Sequence, residues 1–351
     1  MLGGNSVKRE IVGLTMGDPA GIGAEITVKA LKSKKVYEKS IPVVIGDEAA
    51  LRDAVKFCNL DLKLNRIGSV EEAKGVYGTI DFISLDYLTE GGWEYKKPSK
   101  LCGEAAFNYV TYAIELAKHR KISAVITAPI NKEAINMAGH AYSGHTEIFA
   151  EYTNTPKYAM LLASGDLRVI HVSTHCSLRQ ACDNVKKERV LEVIKLANEG
   201  LRLLGIENPT IGVAGLNPHC SENGLFGYEE AEEIIPAIEE AKKLGLNVIG
   251  PEPPDTVFVK CMGGYYDIVV AMYHDQGHIP LKLSGFKLNP ATNTYTSMSG
   301  INCTIGLPVI RASVDHGTAY GKAGEGRANE ESMLDAIFAG ITMAKNMFSE
   351  E

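Results

Sequence analysis

Short, nearly continuous apolar runs rich in β-branched residues, alternating with helical patterns, restrict this chain more than any other feature. They lie at residues 11–15, 43–46, 80–84, 124–127, 168–173, 211–214 and 268–271. A strand with one wet face alternates apolar and polar side chains. A strand that is apolar at successive positions is covered on both faces, as in a parallel sheet between layers of helix. The intervening segments can supply those layers. Across 187–204, Val190, Ile194, Ala197, Leu201 and Leu204 recur at steps of three and four, and Gly205 follows as a stop. Ala106, Val110, Ala113 and Ala117 form a second stripe, closed by His119, Arg120 and Lys121, cations that suit a helix C-terminus. Residues 229–243 and 331–347 read as two further helices. The 351 residues exceed the size at which one core usually keeps growing, so two α/β domains are expected.

A formal charge of −7 gives no general attraction to nucleic acid or to an anionic membrane, so an anionic substrate must be held by local cations. The cysteines at 58, 102, 176, 182, 220, 261 and 303 are odd in number and contain no C-x-x-C pair. That excludes a disulfide framework and a zinc ribbon as the reading, and a reducing cytoplasm fits. The first ten residues are polar, unlike a signal peptide, and no apolar run reaches the length of about 18 residues that a membrane span needs.

Three histidines follow three of the apolar runs. His175 ends VIHVSTH, His219 ends IGVAGLNPH and His274 follows IVVAMY. At the carboxyl edge of a parallel sheet, where open α/β folds bind ligands, three such imidazoles would make a metal site. A hydrogen-bonded loop histidine is the ordinary alternative for any one of them, and the spacing matches neither H-E-x-x-H nor a Cys/His finger.

Other segments carry weaker signals. The glycine-rich turn after the first run, with Gly17, Gly21 and Gly23, could face an anion or simply pack closely; it lacks the third glycine of the dinucleotide fingerprint, and no G-K-[ST] occurs in the chain. His145 and Thr146 stand where a helical run begins and can donate to a carboxylate or phosphate, or cap the helix. Lys282 and Arg311 are suited to clamp an anion, Arg bidentately. Residues 308–319 run from an apolar strand straight into the polar cluster Asp315, His316, Gly317, Thr318 and Ala319.

Taken in order, TMGDPAGIGAE (15–25), TAPINK (127–132), GHTE (144–147), STH (173–175), GLNPH (215–219), GPEPPDT (250–256), AMYHDQG (271–277) and GLPVIRASVDHGTA (306–319) resemble the 4-hydroxythreonine-4-phosphate dehydrogenase family from about Ile11 to Gly326. The resemblance implies two α/β/α domains with a cleft between them, like isocitrate and isopropylmalate dehydrogenases and not a Rossmann fold. On this reading residues 1–130 with 300–351 form the first, cofactor-side domain, and 131–299 form the second, with the metal site and dimer interface. It implies a homodimer with shared active sites, in which His175, His219 and His274 bind a divalent metal (Zn, Mg, Co or Mn) and His274 meets the other two across the interface. Substrate contacts fall on His145, Thr146, Lys282, Asn302 and Arg311. Asp255 and Lys282 are the catalytic candidates, and residues 315–319 lie along the adenosine of NAD.

The implied reaction is oxidation of the 3-hydroxyl of a four-carbon, 4-phosphorylated hydroxy acid, followed by decarboxylation. Two departures stand out. Residues 283–301 make an enlarged link between Lys282 and Asn302, expected to be a loop covering the cleft, and the run Tyr320-Gly321-Lys322-Ala323-Gly324 lacks the acidic residue that the family carries there while Lys322 adds a positive charge nearby, which admits NADP. His278 resembles the branch acting on D-threonate or D-erythronate 4-phosphate. A phosphate acyltransferase of the same superfamily fold, and a metal-dependent binding protein without catalysis, are the alternatives.

Overall fold

The computed structural model describes residues 9–291 and 294–348. In chain order the strands are β1 (Glu10–Thr15), β2 (Ser40–Gly46), β3 (Lys63–Arg66), β4 (Thr79–Ser84), β5 (Ala124–Thr127), β6 (Ala159–Ser164), β7 (Leu167–His171), β8 (Ile211–Ala214), β9 (Val248–Glu252), β10 (Ile268–Ala271), β11 (Phe286–Asn289), β12 (Thr294–Met298), β13 (Ile301–Ile305) and β14 (Arg311–Val314). The chain divides into two compact units, Met1–Thr153 with Val309–Ser349, and Asn154–Pro308.

In the first unit the strands run in the order β3-β4-β2-β1-β5-β14, and every pairing is parallel. Val12, Leu14, Val43, Val44, Ile45, Val125 and Ile126 have no exposed surface, which is why these strands read as continuous apolar runs. The helix Lys100–Lys118 packs on β1, β2 and β5, and its N-terminus is capped by Ser99, whose hydroxyl accepts from the Cys102 amide. The helices Lys132–Met137 and His145–Tyr152 pack on Lys100–Lys118. That packing draws residues 131–153 into the first unit, whereas the sequence reading began the second domain at 131. Residues 300–308 likewise belong to the second unit, because β13 pairs with β6.

The second unit has the order β13-β6-β7-β10-β8-β9, with β7, β10, β8 and β9 parallel and β6 antiparallel to both β7 and β13. Its core gathers Leu162, Val169, Phe258, Tyr266, Val269 and Leu281. Residues 283–301 are not the loop expected from their low aliphatic content. Residues 283–285 finish the helix His274–Gly285, then β11 and β12 form an antiparallel ribbon of their own, and β13 follows. Threonine and aromatic residues favour strands without being aliphatic, and this segment carries Thr292, Thr294 and Thr296 with Phe286 and Tyr295; the two aromatic rings meet edge to face at 5.7 Å. Among the described residues no helix is long and apolar enough to cross a membrane.

Candidate active site

In the first unit a strand and a helix converge on one guanidinium. Arg311 opens β14 beside β5, in register with Val125, and is 2 % exposed. Its Nη2 donates to Thr127 Oγ1 at 3.2 Å and its Nη1 to Thr146 Oγ1 at 3.5 Å. The guanidinium carbon lies 5.8 Å from the centroid of Phe149, which together with Thr146 is held by the helix His145–Tyr152. His145 begins that helix with its Nε2 buried and without a hydrogen-bond partner among the described residues. Burial, and then the positive charge of Arg311, hold its pKa well below the ordinary 6.5. A neutral imidazole beside a guanidinium is a set of groups that recognises an anion, and a ligand oxygen would complete the orphaned nitrogen. His145 and its neighbour Thr146 are thus brought together with Arg311, which lies 165 positions beyond Thr146 in sequence.

Residues 315–319 follow β14 in the same unit. The Ile22 amide donates to Thr318 O at 3.1 Å, so this loop rests on the glycine-rich turn after β1. A Cβ at Gly17 would lie 2.4 Å from Pro129 O, and one at Gly23 2.1 Å from Met16 O. Those glycines are therefore required by close approach to the protein's own carbonyls, which favours the packing reading of the turn. The Asp315 amide donates to Ser332 Oγ, His316 Nδ1 lies 3.0 Å from Gly317 O, and the space beside Gly317 is open. Tyr320 donates to the buried Asp18 at 2.7 Å; burial raises the Asp18 pKa against the opposing effect of that bond. Lys322 ends a short turn from Tyr320.

In the second unit β10 lies between β7 and β8, all parallel, so His175, His274 and His219 leave the same edge of three adjacent strands. His175 and His219 are exposed, and His274 begins the helix His274–Gly285. The rings of His175 and His274 are 6.1 Å apart. His274 stacks on His278 at 3.7 Å and 9°, and His278 lies 4.7 Å from His171. Among the described residues of the single chain, no three His, Cys, Asp or Glu side chains converge to hold a metal ion. The structure therefore brings His175 and His274 near one another and does not bring His219 into a cage with them.

Lys282 lies two turns beyond His274 on the same helix, with Nζ 4.4 Å from the Phe286 ring centroid. Asn302 on β13 has its Oδ1 buried and without a hydrogen-bond partner among the described residues. Asp255 is exposed at the rim of a groove of about 570 Å³ lined by Phe258, Val259, Met262, Ile279 and Leu283.

The profile of the family described as pyridoxal phosphate biosynthetic protein PdxA matches residues 38–339. The chain belongs to the PdxA family. A protein of Oceanobacillus iheyensis, provisionally named a D-threonate 4-phosphate dehydrogenase, is 50 % identical over 339 residues, covering 96 % of this chain and 98 % of its own. The D-threonate 4-phosphate dehydrogenase of Cupriavidus necator is 45 % identical, over 95 % of this chain and 97 % of its own. The crystal structure of 4-hydroxythreonine-4-phosphate dehydrogenase from Klebsiella pneumoniae is similar with a TM-score of 0.84 and 42 % identity, covering 97 % of this chain and 99 % of that one.

Within this PdxA-family fold Gln276 and His171 escaped the sequence reading. Gln276 is 8 % exposed; its Oε1 accepts from the Met272 amide at 2.7 Å and its Nε2 donates to Gly215 O at 2.9 Å, tying the exit of β10 to that of β8. His171 is 1 % exposed, and burial, followed by the charge of His278, pushes its pKa down to about 3. The signal for both was burial of a polar residue, which spacing alone does not reveal.

Proposed function

We propose that this PdxA-family dehydrogenase oxidises the 3-hydroxyl of a four-carbon, 4-phosphorylated hydroxy acid, with NAD as acceptor and NADP as the alternative, and that CO2 is then lost from the resulting β-keto acid. The observation that carries the reading is the buried Arg311–His145–Thr146 cluster, a cationic group of side chains suited to an anionic substrate group in a chain of net negative charge. D-Threonate 4-phosphate is the favoured substrate, because relatives named for it are 45–50 % identical over nearly the whole chain. In this reading Arg311, His145 and Thr146 hold one anionic group, Lys282 and Asn302 contact the remainder of the substrate, and residues 315–319 hold the cofactor's adenosine. Asp255 and Lys282 are the candidates to receive the hydroxyl proton as hydride leaves.

His175, His219 and His274 would hold a divalent cation (Zn, Mg, Co or Mn). Their chemistry fits, since all three are imidazoles at one sheet edge and two of their rings are 6.1 Å apart. Among the described residues of one chain no third ligand joins them, and in this reading a second copy completes the set. Val259, Ile279 and Leu283, at 69 %, 63 % and 82 % exposed, form the apolar surface that supports such a homodimer. When bound, the cation stabilises negative charge on a substrate oxygen and the nicotinamide takes the hydride. Among the described residues Cys58, Cys102, Cys176, Cys182, Cys220, Cys261 and Cys303 form no disulfide, which fits the cytoplasm.

The test is an assay of purified protein with NAD or NADP, a divalent-metal series and the 4-phosphates of 4-hydroxythreonine, D-threonate and D-erythronate. The expected outcome is the highest kcat/KM for D-threonate 4-phosphate, absorbance rising at 340 nm, CO2 released in equal amount, and activity abolished by chelation and restored by metal. Full activity after chelation, or no reduced cofactor with any of the three substrates, would refute it.

A further inference from the structure

The turn carrying His219 has an uncommon backbone. His219, Cys220, Ser221, Glu222 and Asn223 have φ values of 53°, 54°, 69°, 47° and 57°. Consecutive left-handed L-residues are disfavoured, because Cβ crowds the following carbonyl, so the surroundings must hold such a run in place. One carboxylate does so. Glu230 is 2 % exposed. Its Oε1 accepts from the amides of Leu216 at 2.8 Å and Asn217 at 2.7 Å, and its Oε2 accepts from Asn217 Nδ2 at 3.0 Å and from Ser221 Oγ. The beginning of the turn and its middle are therefore fastened to a single side chain. A Cβ at Gly215 would lie 2.9 Å from Cys220 Sγ and 3.2 Å from Glu230 Oε1, so the close packing of this turn leaves no room for a side chain there.

We infer that Glu230 is a positioning residue, whose carboxylate fixes the left-handed turn at 219–223 and with it the place from which His219 presents its imidazole to a bound divalent cation. The inference rests on the histidine reading given under Proposed function, but its structural half stands apart from any metal. Only an ionised carboxylate accepts at both oxygens. In a Glu230→Gln variant the amide oxygen can keep the two backbone donors, but the amide nitrogen would face Asn217 Nδ2, so that bond would be lost, and the Ser221 hydroxyl would have to turn from donor to acceptor.

The test uses the full-length protein and three variants: Glu230→Gln, Ser221→Ala, and Glu239→Gln as a control. Glu239 pairs with Lys242 on the surface of the helix Ile235–Lys243. Zn2+ affinity is measured by competition with a chromophoric chelator. The His219 ring resonance, assigned with a His219→Gln variant, is followed in metal-free protein. Loss of a group that orients a ligand typically weakens metal binding about 10- to 100-fold. That loss is expected for Glu230→Gln, with a smaller loss for Ser221→Ala, none for Glu239→Gln, and a shifted or broadened His219 signal in the first two. Unchanged Zn2+ affinity together with an unchanged His219 resonance in a folded Glu230→Gln protein would overturn the inference. If Glu230→Gln does not fold, the same two readouts on Ser221→Ala decide it. If His219→Gln binds Zn2+ as tightly as the parent, the metal reading fails, and the His219 resonance alone decides whether Glu230 positions the turn.

Discussion

Arg311 is 2 % exposed and bonded to two threonine hydroxyls, beside a histidine kept neutral by burial. His175 and His219 stand exposed at strand ends, and His274 stacks on another imidazole. The first unit thus holds its cation in a geometry that needs little reorganisation when an anion arrives, the condition under which charge stabilisation is most effective. The second unit holds three imidazoles at one sheet edge, and among the described residues they do not converge on a common point. The contrast teaches that neighbouring strand exits suffice to gather histidines at an edge, whereas a buried, hydrogen-bonded cluster needs a strand and a helix packed around it.

The largest effect that would sharpen the contrast is at Arg311. Charge-assisted hydrogen bonds contribute roughly 1.5 to 3 kcal/mol each. Arg311→Ala should therefore lower kcat/KM by about 10- to 150-fold, and the loss should largely vanish with a substrate lacking the contacted anion. Steady-state kinetics with phosphorylated and dephosphorylated substrates check this. An equal loss with both would show that Arg311 does not hold the phosphate and would leave the carboxylate as its partner.

A smaller effect concerns acid stability of the histidine edge. Burial, and then the charge of His278, push the His171 pKa down to about 3 from the ordinary 6.5. The unfolded chain takes up a proton in that interval and the folded chain does not, so the contribution of His171 is complete above pH 6.5 and is lost as pH falls toward 3. His278, pushed down to about 4 by burial and by His274, acts with the same sign. The melting temperature should fall on acidification from pH 6.5 to 4.5, and His171→Gln should flatten that slope. A slope as steep as the parent's would mean that His171 is not the group responsible.

The parts of the molecule set by local pattern were legible. β5, β8 and β10 fall at the predicted residues, the helix Lys187–Leu203 matches its stripe to within one position, and the three histidine exits lie on adjacent parallel strands. The ribbon β11–β12 was not, because it shows no aliphatic run, and β6 escaped the sequence reading although its apolar run AMLLA meets a Ser-Gly-Asp turn before β7. Gln276 and Glu230 were invisible for another reason. Each acts by bonding loops that meet only after the sheet has formed, Gln276 across β10 and β8 and Glu230 over the turn of His219. The glycine-rich turn after β1 read equally as an anion cradle or a packing device, and only the carbonyls of Met16 and Pro129 against Gly23 and Gly17 favour the second.

The central claim is that the histidine edge is finished by a second copy of the chain. His219→Ala and His274→Ala subunits, carrying different tags, can be mixed and the heterodimer isolated. Each variant alone should be inactive and metal-free. In the heterodimer one subunit still offers His219 and the other His274, so one of the two sites should be whole, with one cation bound and dehydrogenase activity regained. A heterodimer that binds no metal and stays as inactive as its parents would contradict the claim and return all three ligands to a single chain.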